Sequence, residues 1–316
     1  MTQIPTFTDV KKAAARITPH AHRTPVLTSR NLNRMTDGSL FFKCENFQKV
    51  GAFKFRGACN AVFSLSDKEA NRGVATHSSG NHAAALALAA RLRGIPVHVV
   101  MPENTKEVKR KAVESYGAQI TYCRPTLEAR EQTLAGILEE TGAVEIHPYN
   151  DPRIIAGQGT AALELLDEVP DLDVILAPVG GGGLISGTVL AVSGLNLPAK
   201  VIGVEPKGAD DAYRSFHSGQ FVPCVNPQTI ADGLLTSLGD LTFAIMREHV
   251  TDIVTVEEDE IISAMRTVWE RMKIVIEPSS AVPVAAVLND KLQVAEKKVG
   301  VILTGGNVDL EKLRWS

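Results

Sequence analysis

Residues 173–190 read DVILAPVGGGGLISGTVL, and this stretch decides the fold class. Its first part, residues 174–179, is an apolar run that predicts a buried strand, and its last part, residues 184–190, predicts an apolar helix. Between them lie Gly180, Gly181, Gly182 and Gly183. The backbone N–H groups of such a loop can converge on an anion, and the dipole of the following helix favours negative charge there. A flexible linker seldom joins an apolar strand directly to an apolar helix, so the pattern favours a phosphate site.

Outside this stretch, short apolar runs rich in β-branched residues alternate with longer segments of Ala, Leu, Glu and Lys. This alternation predicts an α/β fold of mostly parallel, twisted sheets with helices on both faces, and it places ligands at the carboxyl ends of strands. The predicted strands are residues 40–45, 73–76, 97–101, 119–123, 173–179, 200–205 and 298–304. The predicted helices are residues 82–92, 106–115, 127–140, 159–168 and 258–272.

The composition is that of an ordinary globular protein, since 316 residues with 44% hydrophobic content can build a sizeable core. The 33 Lys and Arg residues against 36 Asp and Glu residues give a net charge of -3 without a basic stripe, which argues against nucleic-acid binding. The four cysteines form no Cys-x-x-Cys pair, so we expect reduced thiols in a cytoplasmic protein. We find neither a targeting segment nor an apolar run long enough to span a membrane.

A lysine in an unusual setting, Lys54, stands between two aromatic residues in the stretch GAFKFRG at residues 51–57. Apolar walls disfavour an ammonium ion, and the neighbouring Arg56 would lower the pKa of the amine further. A lysine with a lowered pKa can act as a nucleophile and then as a base. The same stretch also fits a surface lysine whose aliphatic stem lies on apolar residues, and the heptapeptide alone leaves both interpretations open.

Two further loops carry polar groups at the ends of predicted strands. SSGNH at residues 78–82 precedes an Ala-rich helix, and its hydroxyls, amide and backbone N–H groups would suit a carboxylate. Ser, Gly and Asn are also ordinary capping residues at a helix start. TGGN at residues 304–307 presents a hydroxyl at the carboxyl end of the last predicted strand. Taken alone, each loop fits a structural role as well.

Together these segments resemble the fold-type-II pyridoxal-phosphate enzymes of the tryptophan synthase β type, and more narrowly the serine racemase and serine/threonine dehydratase family. The resemblance runs almost from end to end, and the order of the motifs is more specific than any one of them. The segments that carry it are FFKCENFQ at 41–48, GAFKFRG at 51–57, SSGNH at 78–82, IAGQGT at 155–160, GGGG at 180–183, IADG at 230–233, VWERMK at 268–273 and GGNVD at 305–309.

The resemblance implies pyridoxal 5'-phosphate as the cofactor and a role for each matched position. Lys54 would form the covalent bond to the cofactor aldehyde and later remove a proton from the substrate Cα, while Phe53 would lie against the cofactor ring. Thr304, where many relatives have serine, would contact the pyridine nitrogen, and the four glycines would bind the phosphate. Asn81 would also contact the ring hydroxyl, and Ser79 would be the second acid or base of a racemase. The substrate carboxylate would bind to Ser78, Ser79, Gly80, Asn81 and His82.

The same resemblance implies a divalent cation, Mg²⁺ or Ca²⁺, held by oxygen ligands. The matching positions are the carboxylates of Glu205 and Asp211 and the backbone carbonyl of Ala209. Without the resemblance, residues 205–211 would be interpreted as a solvated acidic loop. The family match therefore changes the prediction at this segment from an exposed turn to a metal site.

The activity predicted from the resemblance is β-elimination from serine, threonine or 3-hydroxyaspartate to give a 2-keto acid and ammonia. Racemisation of serine is the alternative, and a β-replacement synthase is a more distant one. The stretch HPYNDP at 147–152 and the TGGN variant at 304–307 resemble bacterial hydroxyaspartate dehydratases. A second substrate carboxylate would require an additional cation, and Arg130 is a candidate unless it is an exposed arginine on its predicted helix.

Members of this family combine a large domain from both ends of the chain with an inserted domain that closes over the substrate. The resemblance therefore implies a large pyridoxal-phosphate-binding domain from residues 1–72 and 151–316 and a small mobile domain from residues 73–150. It also implies a homodimer that acts on a small amino-acid substrate. We expect no nucleic-acid or membrane partner.

Overall fold

A computed structural model describes residues 3–105 and 107–310, which form a six-stranded sheet, a four-stranded sheet and the helices around them. The strands are β1 (Val26–Thr28), β2 (Ser39–Cys44), β3 (Val74–His77), β4 (Val97–Pro102), β5 (Gln119–Cys123), β6 (Val144–Glu145), β7 (Val174–Pro178), β8 (Lys200–Pro206), β9 (Asp252–Val256) and β10 (Lys298–Leu303). The helices are α1 (Phe7–Ile17), α2 (Arg30–Thr36), α3 (Lys54–Ser64), α4 (Asp67–Arg72), α5 (Asn81–Arg93), α6 (Glu107–Ser115), α7 (Leu127–Thr141), α8 (Pro152–Glu168), α9 (Gly183–Gly194), α10 (Asp211–Ser218), α11 (Asp240–His249), α12 (Glu258–Met272) and α13 (Pro278–Leu288).

The six-stranded sheet has the order β1-β2-β10-β7-β8-β9, and its edge strand β1 runs antiparallel while the other neighbours are parallel. Strand β10 is central, with Val301 paired to Phe42 of β2 on one side and to Leu176 of β7 on the other. Strands β7 and β10 are buried along almost their whole length, as expected for parallel strands covered on both faces. The predicted α/β fold class is confirmed, and the loops after β7, β8 and β10 lie at the same edge of the sheet.

Helices α8 and α9 pack closely against each other beside this sheet. In the middle of α8, an added Cβ at Gly159 would lie 2.6 Å from the carbonyl oxygen of Gly187 in α9. Only glycine fits this close contact. The helix therefore contains glycine at this position, although glycine ordinarily weakens helices. The prediction of a helix over 159–168 is therefore wrong at its start: α8 begins at Pro152, and the Asp151 side chain caps it.

The four-stranded sheet has the order β5-β4-β3-β6, is parallel throughout and lies within residues 74–145. Its inner strands β3 and β4 are mostly buried, whereas the edge strand β5 is largely exposed. A hydrophobic cluster that includes Phe55 of α3, Leu86 of α5 and Val99 of β4 forms its core. The sheet falls inside the segment 73–150 that we predict to be a small domain, and the domain boundaries themselves stay a prediction.

All seven predicted strands are present within one residue of their predicted limits, and helices α5, α7 and α12 agree equally well. The predicted first residue of another helix, Lys106, lies outside the described residues, and α6 is described from Glu107. Strands β1, β6 and β9 have no counterpart in the prediction, and all three lie at sheet edges, where a weaker apolar pattern suffices.

Among the helices of the described residues, none combines the length and the apolar composition needed to cross a bilayer.

Candidate active site

Lys54 is the first residue of α3, and its side chain is half-buried. Its Nζ atom donates a hydrogen bond to the carbonyl oxygen of Pro148 at 2.9 Å and lies 5.3 Å from the centroid of the Phe53 ring. Burial lowers the pKa of this amine from 10.5 to about 8, although the charge of Glu277 acts in the opposite direction. Near this pH a substantial fraction of Lys54 is the neutral amine that a nucleophile requires.

The loop after β10 fixes the position of Lys54. The N–H group of Phe53 donates to the carbonyl oxygen of Thr304 at 2.9 Å, and the N–H group of Gly306 donates to that of Gly51 at 2.9 Å. Gly51 has a φ of 68°, in the left-handed region that favours glycine. These bonds hold the lysine segment against the carboxyl end of β10. The structure thus brings two of the predicted site segments together.

The glycine loop, Gly180 to Gly183, links β7 to α9 and is buried. Gly182 caps the helix with a φ of 84°, and an added Cβ there would lie 2.8 Å from Thr242 Cβ. Within the described part of the chain, the backbone N–H groups of Gly180, Gly181 and Gly182 donate to no other residue. Buried N–H groups without partners at a helix N-terminus suit an anion such as phosphate.

Three rings extend from the glycine loop towards β3, and we call them the aromatic row. The first is Tyr149, whose ring lies so close to Gly181 that an added Cβ there would overlap it. The second is His147, at a centroid distance of 4.6 Å from Tyr149, and the third is His77, at 6.0 Å from His147. Each successive pair is nearly perpendicular, at 89°. The sequence stretch HPYNDP contains two of these rings, but nothing in it indicated that they face the glycines.

The polar loop, Ser78 to His82, links β3 to α5. The Gly80 N–H group donates to Ser78 Oγ at 3.3 Å, whereas the half-buried Ser79 side chain makes no hydrogen bond to another described residue. His82 is hydrogen-bonded through Nε2 to the carbonyl oxygen of Ile146 at 3.1 Å, and burial lowers its pKa well below the usual value. The loop therefore offers a free hydroxyl and a helix N-terminus, which suit a carboxylate.

Two residues far along the chain, Glu277 and Asn307, form hydrogen bonds with the Asn81 side chain. Its Nδ2 donates to both oxygens of Glu277, at 3.0 and 3.2 Å, and its Oδ1 accepts from Asn307 Nδ2 at 3.0 Å. Asn307 also donates to the carbonyl oxygen of Val50, a β-branched residue with a strained φ of 56°. Burial raises the pKa of Glu277 to about 7. Glu277 was not predicted as a site residue, because one acid before an apolar helix forms no recognisable motif.

Thr304 lies at the end of β10 with 3% of its surface exposed. Its Oγ1 is 3.0 Å from Ser280 Oγ, which also exchanges hydrogen bonds with the N–H and C=O groups of Gly305, each at 2.7 Å. No carboxylate among the described residues is hydrogen-bonded to Thr304. The carboxyl end of β10 therefore presents a buried, neutral hydroxyl. Ser280 is a second site residue that the sequence did not predict.

Arg130 lies on α7 and is half-buried, and its buried Nε atom has no hydrogen-bond partner among the described residues. Burial lowers the pKa of His77, and the charge of Arg130 lowers it further. His77 is the last residue of β3 and adjoins the polar loop, so the charge of Arg130 acts at the edge of that loop. This position is compatible with binding an anionic group of a ligand.

Glu205 and Asp211 form a second buried site, which we call the acidic pair. Glu205 accepts hydrogen bonds from the N–H groups of Ala212 at 3.2 Å and Tyr213 at 2.6 Å. Neither oxygen of Asp211 meets a donor at hydrogen-bonding geometry, although the Cys224 thiol is close enough to lower its pKa in part. Burial is the larger effect, and it raises the pKa of Asp211 to about 6 and that of Glu205 well above its usual value.

The predicted cation site also includes the backbone carbonyl of Ala209, which lies between these two acids in the sequence. Ala209 is buried and closes the short 3₁₀ turn Lys207–Ala209. The described residues contain no group of three or more His, Cys, Asp or Glu side chains that could hold a metal, but the predicted site has only two carboxylates and a carbonyl. Buried carboxylates without compensating charge suit a divalent cation with oxygen ligands.

The chain is similar to known proteins over nearly its whole length. Residues 17–305 match the family model described as pyridoxal-phosphate dependent enzyme. The β-hydroxyaspartate dehydratase of Paracoccus denitrificans (strain Pd 1222) is 54% identical over 313 residues, which cover 99% of each chain. The serine racemase of Dictyostelium discoideum is 50% identical over 312 residues, which cover 98% of this chain and 96% of the relative. A crystal structure of serine racemase from that organism has a TM-score of 0.94 at 50% identity and covers 98% of this chain and 100% of the other.

Proposed function

Because this chain belongs to the pyridoxal-phosphate dependent enzymes, we propose that it removes water from a small 3-hydroxy amino acid and releases a 2-keto acid and ammonia. The observation that carries the proposal is the state of Lys54, a half-buried amine with a pKa lowered to about 8 and a single hydrogen bond, to Pro148. The similarity to a β-hydroxyaspartate dehydratase at 54% identity supports the same reaction class.

The residues around Lys54 fit pyridoxal 5'-phosphate. The unpartnered N–H groups of the glycine loop would bind its phosphate, and Phe53 would lie against its ring. Asn81 would contact the ring hydroxyl, and Thr304 would contact the pyridine nitrogen. Lys54 would bind the aldehyde carbon. When bound, the cofactor withdraws electrons from the substrate Cα and makes its proton acidic.

Lys54 would be the base that takes this proton. A pKa of about 8 lets the amine accept a proton and return it near neutral pH, which an ordinary surface lysine does poorly. The carbonyl oxygen of Pro148, the residue between His147 and Tyr149, accepts a hydrogen bond from Nζ, and the Phe53 ring lies 5.3 Å from the same atom. These contacts orient the base without pairing it to a carboxylate.

Thr304 would favour elimination over reversal of the proton transfer. Its hydroxyl is neutral and is hydrogen-bonded to Ser280 rather than to an acid. A neutral partner leaves the pyridine nitrogen largely unprotonated, so negative charge at the substrate Cα is stabilised less. Prompt loss of a β-hydroxyl relieves that charge.

The proposed substrate class is 3-hydroxyaspartate, with serine and threonine as smaller substrates of the same type. Its α-carboxylate would bind at the polar loop, where the Ser79 hydroxyl forms no hydrogen bond to another described residue. Its β-carboxylate would bind to Arg130, whose Nε is buried without a hydrogen bond. A guanidinium that already lacks a partner gains more from a carboxylate than one that must first break an ion pair.

Serine racemisation is the second candidate. It requires a proton donor on the face of Cα opposite Lys54, and the free hydroxyl of Ser79 is in the polar loop that would provide it. The 50% identity to a serine racemase supports this candidate. The same hydroxyl can equally bind the substrate carboxylate in an enzyme that only eliminates water.

A substrate panel tests the proposal. L-serine, L-threonine, D-serine and the stereoisomers of 3-hydroxyaspartate are incubated with the purified holoenzyme, and keto acid and inverted amino acid are both quantified. We expect keto acid, with a 3-hydroxyaspartate isomer giving the highest kcat/KM. The variant Arg130→Gln should lower kcat/KM for 3-hydroxyaspartate far more than for serine. If L-serine gave D-serine and no keto acid, the activity would be racemisation and the proposed elimination would be wrong.

Borohydride reduction of the holoenzyme followed by peptide mapping tests the role of Lys54. The label should lie on Lys54, and Lys54→Ala should lose both the label and the cofactor absorbance. As a control, Lys111→Ala removes an exposed lysine on α6 and should retain both. A label on any other lysine would contradict the proposed mechanism.

Three further expectations accompany this function. We propose that the acidic pair and the Ala209 carbonyl bind Mg²⁺ or Ca²⁺, that residues 73–150 close over the substrate, and that the chain forms a homodimer. If the small domain carries only the substrate contacts, Ser79→Ala should raise KM or lower kcat while cofactor absorbance stays intact. Sedimentation equilibrium of the holoenzyme would test the dimer, since a monomer at all concentrations would contradict it.

A further inference from the structure

His147 lies in the segment that connects β6 to α8, at the centre of the aromatic row. Its ring meets Tyr149 at 4.6 Å and His77 at 6.0 Å, in both cases edge-on at 89°. Tyr149 lies on the glycine loop, and His77 adjoins the polar loop. The imidazole is therefore placed between the two loops that would hold the cofactor phosphate and the substrate carboxylate.

The hydrogen bonds of His147 fix which ring nitrogen carries the proton. Nδ1 accepts from the backbone N–H groups of Tyr149 at 3.3 Å and Asn150 at 3.0 Å. A nitrogen that accepts from two donors must present its lone pair, so the ring hydrogen is on Nε2. Burial, together with the charges of His77 and Lys54, lowers the pKa of His147 to about 4. At neutral pH the residue is thus an uncharged imidazole with an Nε2–H donor.

This donor has no acceptor within the part of the chain that the structure describes. His147 is half-buried, and its only hydrogen bonds are those at Nδ1. The next residue, Pro148, accepts the hydrogen bond of Lys54 Nζ at 2.9 Å. Adjacent residues therefore orient a neutral N–H donor and hold the amine that we propose as the base.

We propose that the Nε2–H group of His147 donates a hydrogen bond to the β-oxygen of the substrate and assists its departure. This inference rests on the proposed elimination and adds a residue to it. The Cα–H electron pair forms the double bond to Cβ, and the Cβ–O electron pair leaves with the oxygen. The proton that Lys54 takes from Cα ends on that oxygen, so water departs and Lys54 returns to the amine form. His147 stabilises the developing charge and transfers no proton.

A neutral donor suits this position better than a charged one. An imidazolium would attract the substrate carboxylates and compete with the polar loop and Arg130 for them. A neutral N–H group interacts strongly only when negative charge develops on the oxygen in front of it, which is the differential binding that accelerates a step. The two backbone N–H groups at Nδ1 keep the ring in this form.

Two amide replacements separate the donor from the structural role of the ring. In His147→Asn, the amide oxygen can stand where Nδ1 is and accept from Tyr149 and Asn150, but nothing replaces Nε2–H. In His147→Gln, the longer side chain can place an N–H group near the position of Nε2, but it leaves the two backbone groups without their acceptor. A purely structural role predicts that the Asn variant is the more active one, and the proposed role predicts the opposite.

The experiment compares substrates with different leaving groups. For the holoenzyme and both variants, kcat and KM are measured for L-serine or the preferred 3-hydroxyaspartate isomer and for β-chloro-L-alanine, whose chloride needs no hydrogen-bond donor. We expect His147→Asn to lower kcat for the hydroxyl substrate by about 100-fold, the effect typical of a lost oxyanion donor. Elimination from β-chloro-L-alanine should change by no more than about twofold, and His147→Gln should recover part of the lost activity.

Cofactor absorbance and Tm of each variant are recorded alongside. An equal loss with both substrates, or unchanged activity of His147→Asn with the hydroxyl substrate, would overturn the proposal. The failure of the underlying function looks different, since the unmodified holoenzyme would then eliminate from neither substrate. The ratio of the two substrates in the variants therefore tests His147 separately from Lys54.

Discussion

Two buried groups of charged side chains in this protein differ in how their charges are balanced. The first, which we call the paired cluster, consists of Lys43, Glu45, Arg56 and Glu164. The second is the acidic pair, Glu205 and Asp211. Both have carboxylates shielded from solvent, but only the first contains the cations that neutralise them.

In the paired cluster, every charged group meets an opposite charge. Arg56 is 0% exposed, its Nε donates to Glu45 at 2.7 Å, and its terminal nitrogen donates to Glu164 at 2.7 Å. Lys43 also donates to Glu164 at 2.7 Å. Two positive and two negative groups therefore form a closed network that joins β2, α3 and α8 just beyond Lys54.

The acidic pair forms no comparable network of opposite charges within the described residues. Within the described residues, neither oxygen of Asp211 accepts a hydrogen bond of good geometry, and Glu205 accepts only from backbone N–H groups. A buried charge is retained in a protein when something compensates it, and the compensation can come from the chain or from a ligand. The paired cluster is therefore neutralised by the chain itself, whereas the acidic pair would gain its compensating charge from the cation that we propose to bind there.

The largest expected effect on stability is that of removing Arg56 from the paired cluster. Arg56→Met leaves the buried carboxylate of Glu45 without its cation and removes one of the two cations that bind Glu164, and we expect the free energy of unfolding to fall by about 3–5 kcal/mol. Urea denaturation of the holoenzyme measures it. Arg23→Met is the matched control, because Arg23 and Asp167 form an ion pair with side chains 58% and 68% exposed, which should contribute less than about 1 kcal/mol. Equal effects of the two variants would show that the paired cluster stabilises the protein no more than an exposed ion pair does.

Binding of a cation to the acidic pair should have the next largest effect on stability. After chelation, adding Mg²⁺ or Ca²⁺ at a hundred times its dissociation constant should stabilise the protein by about 2.7 kcal/mol, seen as a rise in Tm. Asp211→Asn should abolish the rise. Asp210→Asn is the neighbouring control, since Asp210 pairs with Arg214 on the helix surface, and it should leave the rise intact. A wild-type Tm that is indifferent to both ions would mean that these carboxylates bind no cation.

Two lysines with lowered pKa values, Lys43 and Lys54, extend the comparison. Lys43 forms an ion pair with Glu164 that opposes the effect of burial on its pKa. Lys54 forms no ion pair within the described residues, and its Nζ donates to a carbonyl oxygen, although the charge of Glu277 opposes part of its pKa shift. The apoprotein should therefore react with pyridoxal 5'-phosphate at Lys54, with a rate that rises about tenfold per pH unit and levels off near pH 8.

The sign of the effect on stability follows from the same lowered pKa of Lys54. The folded state binds fewer protons than the unfolded state between pH 8 and 10.5, so this group makes the apoprotein more stable as the pH rises through that window. Absorbance at several pH values gives the rate, and denaturation of the apoprotein and of Lys54→Met gives the stability difference. A reaction rate that still rises steeply above pH 9 would show that Lys54 is an ordinary lysine.

The smallest expected effect on stability concerns a partly exposed pair. Lys109 of α6 and Asp232 of the six-stranded part lie 2.7 Å apart, with side chains 32% and 42% exposed. Lys109→Met should change the free energy of unfolding by less than about 1 kcal/mol. Because the pair joins the two parts that we propose to close together, the same variant should raise KM. Lys111→Met, which removes a pair within α6, is the control and should leave KM unchanged.

Local sequence patterns predicted the strands and the glycine loop because each of these depends on neighbours in the chain. The heptapeptide around Lys54 left the role of this lysine open, and the family resemblance assigned it. The apolar run before the glycines and the apolar helix after them are sufficient to specify the turn between β7 and α9. The start of α8 could not be predicted in this way. Its glycine at position 159 looks like a helix breaker until the contact with Gly187 is known.

The contacts of Glu277 show where sequence reasoning reaches its limit. Glu277 bonds to Asn81 across 196 positions, and Asn307 bonds to Asn81 across 226. No periodicity or spacing links such residues, because the bonds exist only after two sheets and a terminal loop have come together. The tautomer of His147 is a similar case, since it depends on the backbone conformation of the two residues that follow.

The central place of β10 has a consequence for how the protein is made. Of the ten strands in the described residues, β10 is translated last, yet it lies between β2 and β7 in the sheet. Until then the growing chain holds β1-β2 and β7-β8-β9 as separate fragments with open edges, a state prone to aggregation and slow to resolve. The loop that docks the lysine segment arrives in the same final stretch. The site can therefore be completed only after β10 has been translated, and the cofactor would bind after that point.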